Sequence, residues 1–286
     1  MKVAITGSTG FLGSHILESL ADLDPVGVAR RPRDARTRKA DLSDPDSLRR
    51  AFEGMDVVVA NAALSPGRAE VTEAALLEAN LTGTRNTLDA AVAAGVRRVV
   101  LVSTVAVYQP RWGITFTEDS PLRDPEDRRW DFSALTTNPA YARSKAAGEA
   151  LAWTYEDRLE LVAVRPGPIW GPRDHKLTLR YARWARSRLP LAPGLKLPHA
   201  TGPDVAAAIA RCVTEPVAGH RFNIGGHHIS PAQILALWTG RRRLAIPLPS
   251  PVRIDDRKAQ QMLGWRPSPL DEAVHSAAEW ARQHSG

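Results

Sequence analysis

Short apolar runs alternate with helix-like stretches over residues 1–170 of the chain. The apolar runs, rich in β-branched residues, are Val3–Thr6, Pro25–Val28, Asp56–Ala60, Arg98–Ser103 and Glu160–Arg165. The helix-like stretches that lie between most of them are Phe11–Ala21, Asp46–Glu53, Glu70–Ala94 and Ala140–Glu156. This alternation predicts an α/β fold with a parallel sheet and helices on both faces. Continuous rather than alternating apolar strands agree with a sheet that is buried on both sides.

The pattern changes after Gly171. Prolines become frequent, helical pieces are predicted near 175–188, 203–213, 230–238, 255–263 and 270–283, and a short strand is predicted over Arg221–Ile224. We therefore expect residues 1–170 to form a nucleotide-binding domain, and residues 171–286 to form a smaller α/β substrate lobe interleaved with it. In such folds the binding cleft lies at the carboxyl ends of the parallel strands.

A glycine-rich loop follows the first strand directly and opens the first helix. It reads Thr6-Gly7-Ser8-Thr9-Gly10-Phe11-Leu12-Gly13. One glycine permits the sharp turn, the next permits close approach of a pyrophosphate, and the third permits tight packing of helix on strand. Backbone N–H groups at the start of the helix then hold the anion. The loop therefore predicts a dinucleotide site formed by Gly7, Thr9, Gly10, Phe11, Leu12 and Gly13.

The end of the second strand bears on the choice of cofactor. An acidic residue is expected there when the cofactor has a free ribose 2′-hydroxyl, but the chain instead carries Arg30 and Arg31. A guanidinium can pair with a 2′-phosphate through two hydrogen bonds. We therefore expect NADP in preference to NAD; the alternative is that both arginines are solvated and NAD is bound.

Candidate catalytic residues are Tyr141 and Lys145, which are four positions apart and share one face of a predicted helix. An ammonium near a phenol favours the phenolate and lowers its pKa, so the tyrosine becomes a usable acid or base. Ser103 and Thr104 end the fourth predicted strand, where a hydroxyl faces the cleft and can bind a substrate oxygen.

Together these motifs resemble the extended short-chain dehydrogenase/reductases of the NAD-dependent epimerase/dehydratase type, over nearly the whole chain. The matching segments are Thr6–Gly13, Asp41-Leu42, Ala60–Ala63, Asn80–Thr84, Ser103–Tyr108, Tyr141–Lys145, Arg165–Pro172, Asp204–Ala206, Phe222–Gly226 and Leu263–Pro267. The resemblance implies a doubly wound Rossmann sheet, a nicotinamide cofactor and a homodimer.

The resemblance also implies roles for individual residues. Asp41 and Leu42 would flank the adenine, and the cofactor would be lined by Ala60, Asn61, Ala62, Ala63 and Ser103. The segment from Pro166 to Ile169 would pass beside the nicotinamide, and Asn80 would lie behind the active-site helix. Thr104 falls where the family has its catalytic Ser or Thr, and Lys145 would also bind the nicotinamide ribose.

Two features point away from a nucleotide-sugar substrate. The segment 195–203 lacks the Gly-Asp-Gly turn and the Arg-Asp-Phe-like element that sugar-nucleotide members carry, and the second lobe is short. The long segment Pro110–Pro139 contains Trp112, Phe116, Trp130 and Phe132. We expect it to help cover a small apolar or aromatic substrate, although these aromatic residues could equally attach the loop to the core.

Composition limits the remaining possibilities. The single cysteine excludes an internal disulfide and agrees with a cytoplasmic location. No apolar run is long enough to span a bilayer, and His227-His228 lacks partners at metal-ligand spacing, so we expect no membrane partner and no metal. The net charge is +7, but no aromatic-basic recognition motif is present, so nucleic acid is not an expected partner.

The sequence therefore predicts hydride transfer between a nicotinamide and a secondary alcohol or ketone. Tyr141 would act as general acid/base, Lys145 would tune it, and Thr104 would orient the substrate oxygen. The alternative within the family is a nucleotide-sugar epimerase or dehydratase. A non-catalytic, NADP-binding regulatory protein is a further alternative, but such relatives typically lose the Tyr or the Lys.

Overall fold

The computed structural model describes residues 1–64, 72–124, 126, 138–187, 191–246, 248–250 and 252–284. In chain order the strands are β1 Val3–Thr6, β2 Val26–Ala29, β3 Thr37–Lys39, β4 Val57–Ala60, β5 Arg98–Val102, β6 Ile114–Phe116, β7 Glu160–Pro166, β8 Ile169–Trp170, β9 Leu191–Pro193, β10 Leu197–Thr201, β11 Arg221–Ile224, β12 His227–Ile229, β13 Leu244–Ile246 and β14 Val252–Ile254. The α-helices are α1 Phe11–Ser19, α2 Pro45–Phe52, α3 Glu73–Ala93, α4 Pro139–Trp153, α5 Leu177–Ala185, α6 Gly202–Thr214, α7 Pro231–Thr239, α8 Arg257–Met262 and α9 Leu270–His284.

A seven-stranded parallel sheet forms the centre of the fold, in the spatial order β3-β2-β1-β4-β5-β7-β11. Apolar side chains project from both faces of the sheet, and each face is covered by helices. One core cluster packs Ile16 of α1 and Ile209 of α6 against the sheet. The other packs Leu48 of α2, Leu88 of α3 and Ala152 of α4 against the opposite face. The predicted doubly wound Rossmann sheet is confirmed.

The local pattern located the strands of the N-terminal half well. Every strand predicted there is present, with bounds that differ by at most one residue. Strand β3 was not predicted, because Thr37–Lys39 is short and polar. It lies at the edge of the sheet and its side chains are not buried, so it lacks the apolar run that marks the other strands. It pairs in parallel with β2.

The C-terminal part of the chain contributes to both regions of the molecule. Strand β11 pairs in parallel with β7 in the large sheet, with Phe222 opposite Val164. Helix α6 packs on the same sheet beside α1. The part of the chain after residue 170 therefore adds a strand and a helix to the large domain as well as forming the smaller lobe.

The smaller lobe consists of short strands and the helices α5, α7 and α9. Strands β12, β10 and β8 form a three-stranded sheet, while β13 pairs with β9 and β14 pairs with β6. Its core contains the buried side chains of Trp170, Tyr181, Leu235 and Val274. Within the described part of the chain, no helix has both the length and the apolar character needed to cross a membrane.

Candidate active site

The glycine loop turns sharply from β1 into α1. Gly7 has a φ of +67°, a left-handed conformation that favours glycine, and its N–H donates to the Val28 carbonyl at 2.9 Å. A Cβ atom at Gly13 would lie 2.2 Å from the Gly7 carbonyl oxygen. These two positions therefore require glycine, which explains the spacing that the sequence shows.

The N-terminus of α1 is open, unlike those of several other helices. Side chains of Asp44, Asn138 and Thr201 accept hydrogen bonds from the first-turn N–H groups of α2, α4 and α6. Helix α1 has Gly10 as its N-cap, with no such side-chain bond and no acid in its first turn among the described residues. Uncapped N–H groups at a helix start attract an anion. The loop therefore fits the pyrophosphate of a dinucleotide.

A buried hydroxyl in the same loop supports this fit. The Oγ atom of Ser8 is buried and has no hydrogen-bond partner among the residues described. Burying an unpaired hydroxyl costs about 1–3 kcal/mol. The loop also packs against the segment after β4, because the backbone N–H groups of Asn61 and Ala62 both donate to Thr6 Oγ1 at 3.0 Å.

The predicted adenine end carries charges of both signs. Arg30 and Arg31 are exposed just after β2. Hydrogen bonds from Ser43 lower the pKa of Asp41 below its usual value, and the nearby Arg30 lowers it further. Leu42 is partly buried against α3, since a Cβ at Gly83 would lie 3.1 Å from its Cδ1 atom.

The predicted cofactor residues follow one edge of the sheet. Arg30 follows β2, the glycine loop follows β1, Asn61 follows β4, Ser103 follows β5, and Pro166 ends β7. In the sheet these strands are consecutive neighbours in that same order. Because the strands are parallel, all these loops meet at their carboxyl edge, where α/β folds bind ligands.

A cavity of about 360 Å³ opens at this edge and brings the candidate chemistry together. Its walls include Leu12, Asn61, Ser103, Thr104, Tyr141, Lys145, Pro166 and Ile169. The residues predicted at the adenine end, Arg30, Arg31, Asp41 and Leu42, are not part of its wall as described. The cavity therefore joins the predicted catalytic residues to the nicotinamide end of the predicted cofactor site.

Helix α4 carries both Tyr141 and Lys145. Its start is fixed by the Asn138 side chain, which accepts from the Tyr141 N–H at 3.0 Å. The Lys145 ammonium donates to the Val102 carbonyl at 2.8 Å, which attaches the helix to the end of β5. Burial lowers the pKa of Lys145 to about 8, against the opposing effect of Glu149.

The acidity of Tyr141 differs from the sequence-based expectation. The lysine was expected to lower the pKa of the phenol, whereas burial raises the pKa of Tyr141 to about 12. Desolvation disfavours the phenolate, and the Lys145 ammonium is bonded to a backbone carbonyl. In this structure Tyr141 is therefore a protonated phenol at neutral pH.

The two neighbouring hydroxyls after β5 have different partners. Ser103 is buried and its Oγ donates to the Glu149 carboxylate. Thr104 is partly exposed, accepts from the Ala106 N–H at 3.2 Å and makes a long contact of 3.5 Å with the Pro166 carbonyl oxygen. Thr104 is therefore the hydroxyl that is better placed to bind a substrate oxygen.

A buried polar network behind the cavity was missed by the sequence reasoning. Arg165 donates through Nε to the Glu149 carboxylate at 2.9 Å and through Nη1 to the Tyr108 hydroxyl at 2.8 Å. Tyr108 in turn donates to the Asn223 Oδ1 atom at 2.6 Å. Glu149 follows Tyr141 and Lys145 at the same four-residue spacing, so helical periodicity alone could have indicated it.

Asn80 also lies behind the catalytic helix, where the resemblance expected it. Its side-chain amide donates to Ser144 Oγ at 2.9 Å and to the Leu64 carbonyl at 3.0 Å. It therefore links α3, α4 and the segment after β4.

Most of the remaining cavity wall is apolar, although the buried Arg123 also lines it. It includes the side chains of Val105, Phe116, Leu197, Val252 and Ile254, and Phe116 stacks on Tyr108 with ring centroids 4.9 Å apart. Trp112 is exposed to solvent, while Trp130 and Phe132 lie outside the described residues. Over the residues that the structure describes, no cluster of three or more His, Cys, Asp or Glu side chains could hold a metal ion.

The family model described as "NAD dependent epimerase/dehydratase family" matches residues 3–225. The chain belongs to the NAD-dependent epimerase/dehydratase family. This membership confirms the resemblance drawn from the motifs.

Three similar proteins illustrate the range of the family. L-Arabinose 1-dehydrogenase (NAD(P)(+)) of Haloferax volcanii is 34% identical over 58% of this chain and 66% of the relative. 2-Alkyl-3-oxoalkanoate reductase of Stenotrophomonas maltophilia is 30% identical over 65% of this chain and 56% of the relative. The chain therefore spans less than two thirds of the length of either relative.

The third is a solved structure, a double mutant of dTDP-glucose 4,6-dehydratase from Streptomyces venezuelae with bound NAD. The two sequences are 25% identical. The superposition covers 100% of this chain and 98% of the dehydratase chain, with a TM-score of 0.79. The family and this NAD-bound neighbour support a nicotinamide dinucleotide as the cofactor of the fold.

Proposed function

We propose that the protein is an NADP-preferring oxidoreductase that transfers hydride between the nicotinamide and a secondary alcohol or ketone of a small apolar substrate. The observation that carries this proposal is the shared cavity: Thr104, Tyr141 and Lys145 line the same space as Leu12 and Ile169. The bound cofactor supplies the hydride, and the protein supplies position and proton transfer.

Each polar residue has one task in this proposal. Tyr141 exchanges a proton between its phenol oxygen and the substrate oxygen, and Thr104 holds that oxygen with its hydroxyl. Lys145, whose ammonium donates to the Val102 carbonyl at the end of β5, would tune the phenol and bind the nicotinamide ribose. These assignments are supported by the geometry of α4 and β5 and stay proposals until the variants below are measured.

The protonated phenol of Tyr141 is the form that serves as general acid when a ketone is reduced. Burial raises the pKa of the phenol to about 12, so at neutral pH the group is ready to donate a proton to a carbonyl oxygen that becomes an alkoxide. Oxidation of an alcohol would instead require the phenolate as base. A general acid/base works best when its pKa lies near the operating pH, so the raised pKa of Tyr141 does not select one direction of the reaction.

The apolar wall supports a substrate with a hydrocarbon body. Val105, Phe116 and Val252 offer no hydrogen bonds to sugar hydroxyls, and each hydroxyl buried there without a partner would cost about 1–3 kcal/mol. One of the similar proteins, 2-alkyl-3-oxoalkanoate reductase, is named for a ketone substrate with alkyl chains. The cavity therefore favours alkyl or aryl ketones over nucleotide sugars.

A preference for NADP is supported by Arg30 and Arg31, which are exposed directly after β2. Asp41 lies close enough to Arg30 for their charges to interact. A 2′-phosphate would supply a second anion for the same guanidinium. The homodimer implied by the resemblance and the cytoplasmic location expected from the single cysteine stay predictions.

Nucleotide-sugar epimerisation or dehydration is the second candidate. It is supported by the likeness to the dTDP-glucose 4,6-dehydratase structure over nearly the full length of both chains. The two candidates separate on products, because an epimerase or dehydratase returns the hydride within one turnover and leaves the cofactor unchanged.

The deciding experiment is a substrate panel followed by the absorbance of the reduced nicotinamide. Alkyl and aryl ketones are offered with NADPH and with NADH, and UDP- and dTDP-sugars are offered with the oxidised cofactors and analysed for new products. Stoichiometric loss of NADPH with a ketone supports the proposal. Conversion of a nucleotide sugar without net change of the cofactor supports the second candidate and overturns the first.

A further inference from the structure

The two-stranded sheet of β9 and β13 has an inverted distribution of side-chain size. Its inner face puts the small Ala192 side chain, 2% exposed, into the core of the smaller lobe. Its outer face carries Leu191, Leu244 and Ile246, which are 47%, 67% and 47% exposed. An exposed strand face ordinarily carries polar residues, so this arrangement calls for a binding partner.

These three side chains form one surface, which we call the Leu244 face. Leu191 and Leu244 are register partners in the parallel pair, so they lie side by side on the same side of the sheet. Ile246 follows Leu244 by two positions and therefore points the same way. Leu248, 48% exposed, continues the apolar surface beyond the strand.

The segments of chain that carry the Leu244 face are rich in cations. The segments 175–203 and 216–254, which contain β9, β10 and β13, hold eleven of the 38 lysines and arginines and none of the 31 aspartates and glutamates. The rest of the chain consequently has more acids than bases. Lys196, Arg241 and Arg242 are exposed within or beside the face. The exposed apolar side chains of β9 and β13 are thus flanked along the chain by exposed cations.

We propose that the Leu244 face is a peripheral docking surface for an anionic phospholipid bilayer. Exposed aliphatic side chains bordered by arginine and lysine match the two layers of such a membrane, since the aliphatic groups enter the acyl boundary while the cations pair with headgroup phosphates. This surface lies on the membrane without spanning it. It departs from the sequence-based expectation that the chain has no membrane partner.

Two other occupants fit the surface less well. A second copy of the chain would bring two sets of the exposed cations Lys196, Arg241 and Arg242 together, and like charges repel across an interface. Nucleic acid would satisfy the arginines, but the centre of the face offers aliphatic groups rather than the aromatic stacking or hydrogen-bonding groups that nucleic-acid surfaces use. An anionic lipid bilayer offers phosphates for the cations and acyl chains for the aliphatic side chains of the face.

The surface also continues into the wall of the cavity. Lys196 is followed by Leu197 and Pro198 of β10. Ser250 donates through Oγ to the Lys196 carbonyl at 2.9 Å, and Val252 lies two positions after it. Leu197, Pro198 and Val252 line the cavity. If the proposed function holds, an apolar ketone dissolved in the bilayer would be the matching substrate. The docking surface itself does not depend on that activity.

The test is co-sedimentation of the full chain with vesicles, with two lipid compositions compared. One set contains phosphatidylcholine alone, and the other contains phosphatidylcholine with phosphatidylglycerol. We expect binding to the anionic vesicles that weakens as salt is raised, because surface charge is screened. Absence of binding to the anionic vesicles, or equal binding to both sets, overturns the proposal.

Variants locate the surface. Leu244→Ser combined with Ile246→Ser should weaken vesicle binding by at least about tenfold, since each large aliphatic group contributes more than about 1.4 kcal/mol on burial. Arg241→Glu combined with Arg242→Glu should also weaken it and remove its salt dependence. The matched control is Met262→Ser, which alters an exposed apolar side chain on α8 outside the face and should bind as the parent does.

Fold and alternative occupants are checked in the same series. Thermal unfolding and NADPH binding of the Leu244 variants should equal those of the parent, because these side chains are exposed and distant in sequence from the glycine loop. Vesicle binding that survives the double serine variant overturns the assignment of the face. Self-association in the absence of lipid that the same variant abolishes, or binding to mixed-sequence DNA in place of vesicles, would also overturn it.

Discussion

Arg165 of β7 and Glu149 of α4 form an ion pair in which both side chains are almost fully buried, at 1% and 0% exposure. The pair lies behind the predicted catalytic residues. Ser103 donates to the same carboxylate from the end of β5, and Tyr108 accepts from the same guanidinium. Through this pair helix α4 is attached to the strand ends that line the cavity.

Removing one member of the pair should be costly. Glu149→Gln leaves the Arg165 charge buried without its carboxylate, and we expect the free energy of unfolding to fall by about 3–5 kcal/mol. Denaturant unfolding of the parent and the variant measures this difference.

The control for that prediction is an exposed pair. Arg49 and Glu53 on α2 are 45% and 57% exposed, so Glu53→Gln should cost less than about 1 kcal/mol. Equal losses of unfolding free energy in the two variants would show that the buried pair stabilises the protein no more than the exposed pair does.

The buried Lys145 predicts a pH-dependent stability. Its pKa is about 8 in the folded protein and 10.5 as the ordinary value, so the unfolded chain binds the proton more tightly. The parent therefore gains stability as pH rises through this window, by up to about 3 kcal/mol, relative to a Lys145→Met variant. Below pH 8 the difference between the two proteins should be constant.

Unfolding of both proteins at a series of pH values from neutral to alkaline measures this difference. Lys39→Met, which changes an exposed lysine on β3, should show no such change relative to the parent. A Lys145→Met difference that stays flat across the window would contradict the burial effect.

Replacement of Tyr141 tests the proton transfer. Tyr141→Phe keeps the ring and removes the hydroxyl, so reduction of a ketone should fall by about 10²–10⁴-fold while binding of NADPH is retained. The rate is followed by nicotinamide absorbance, and binding by nicotinamide fluorescence. If the variant retains full turnover, the acid/base role belongs to another group.

Replacement of Arg30 tests the cofactor preference. Arg30→Ala removes a guanidinium expected to pair with the 2′-phosphate, so kcat/KM with NADPH should fall by about tenfold or more while the value with NADH changes little. Arg33→Ala, another exposed arginine of the same loop, is the control and should leave the ratio of the two cofactors unchanged. Parallel losses with both cofactors would argue against phosphate recognition.

Gly13 tests the tight packing of α1 on the loop. A methyl group there would lie 2.2 Å from the Gly7 carbonyl oxygen, so Gly13→Ala should destabilise the protein by about 1–3 kcal/mol and weaken dinucleotide binding. Ser19→Ala, at the exposed end of the same helix, should change stability by less than about 0.5 kcal/mol. Calorimetric unfolding with and without NADP distinguishes the loss of fold from the loss of binding.

The order of strands and helices and the location of the candidate site were both accessible from the sequence. Apolar runs and helical periodicity report local structure, and parallel strands necessarily end at one edge of a sheet. For that reason residues as far apart as Gly7, Ser103 and Tyr141 could be expected near one another. The spacing of Tyr141 and Lys145 likewise follows from helix geometry alone.

The contacts and the electrostatics of the site were decided by the tertiary structure. The acidity of Tyr141 depends on how deeply the phenol is buried, and the partner of Ser103 depends on the packing of α4 against β5. Neither is a local property of the chain. The insertion of β11 beside β7 and the supply of Val252 to the cavity wall also join segments that are distant in sequence. Local patterns determine which residues can do chemistry, whereas burial and long-range packing determine their charge state, their partners and the shape of the space they face.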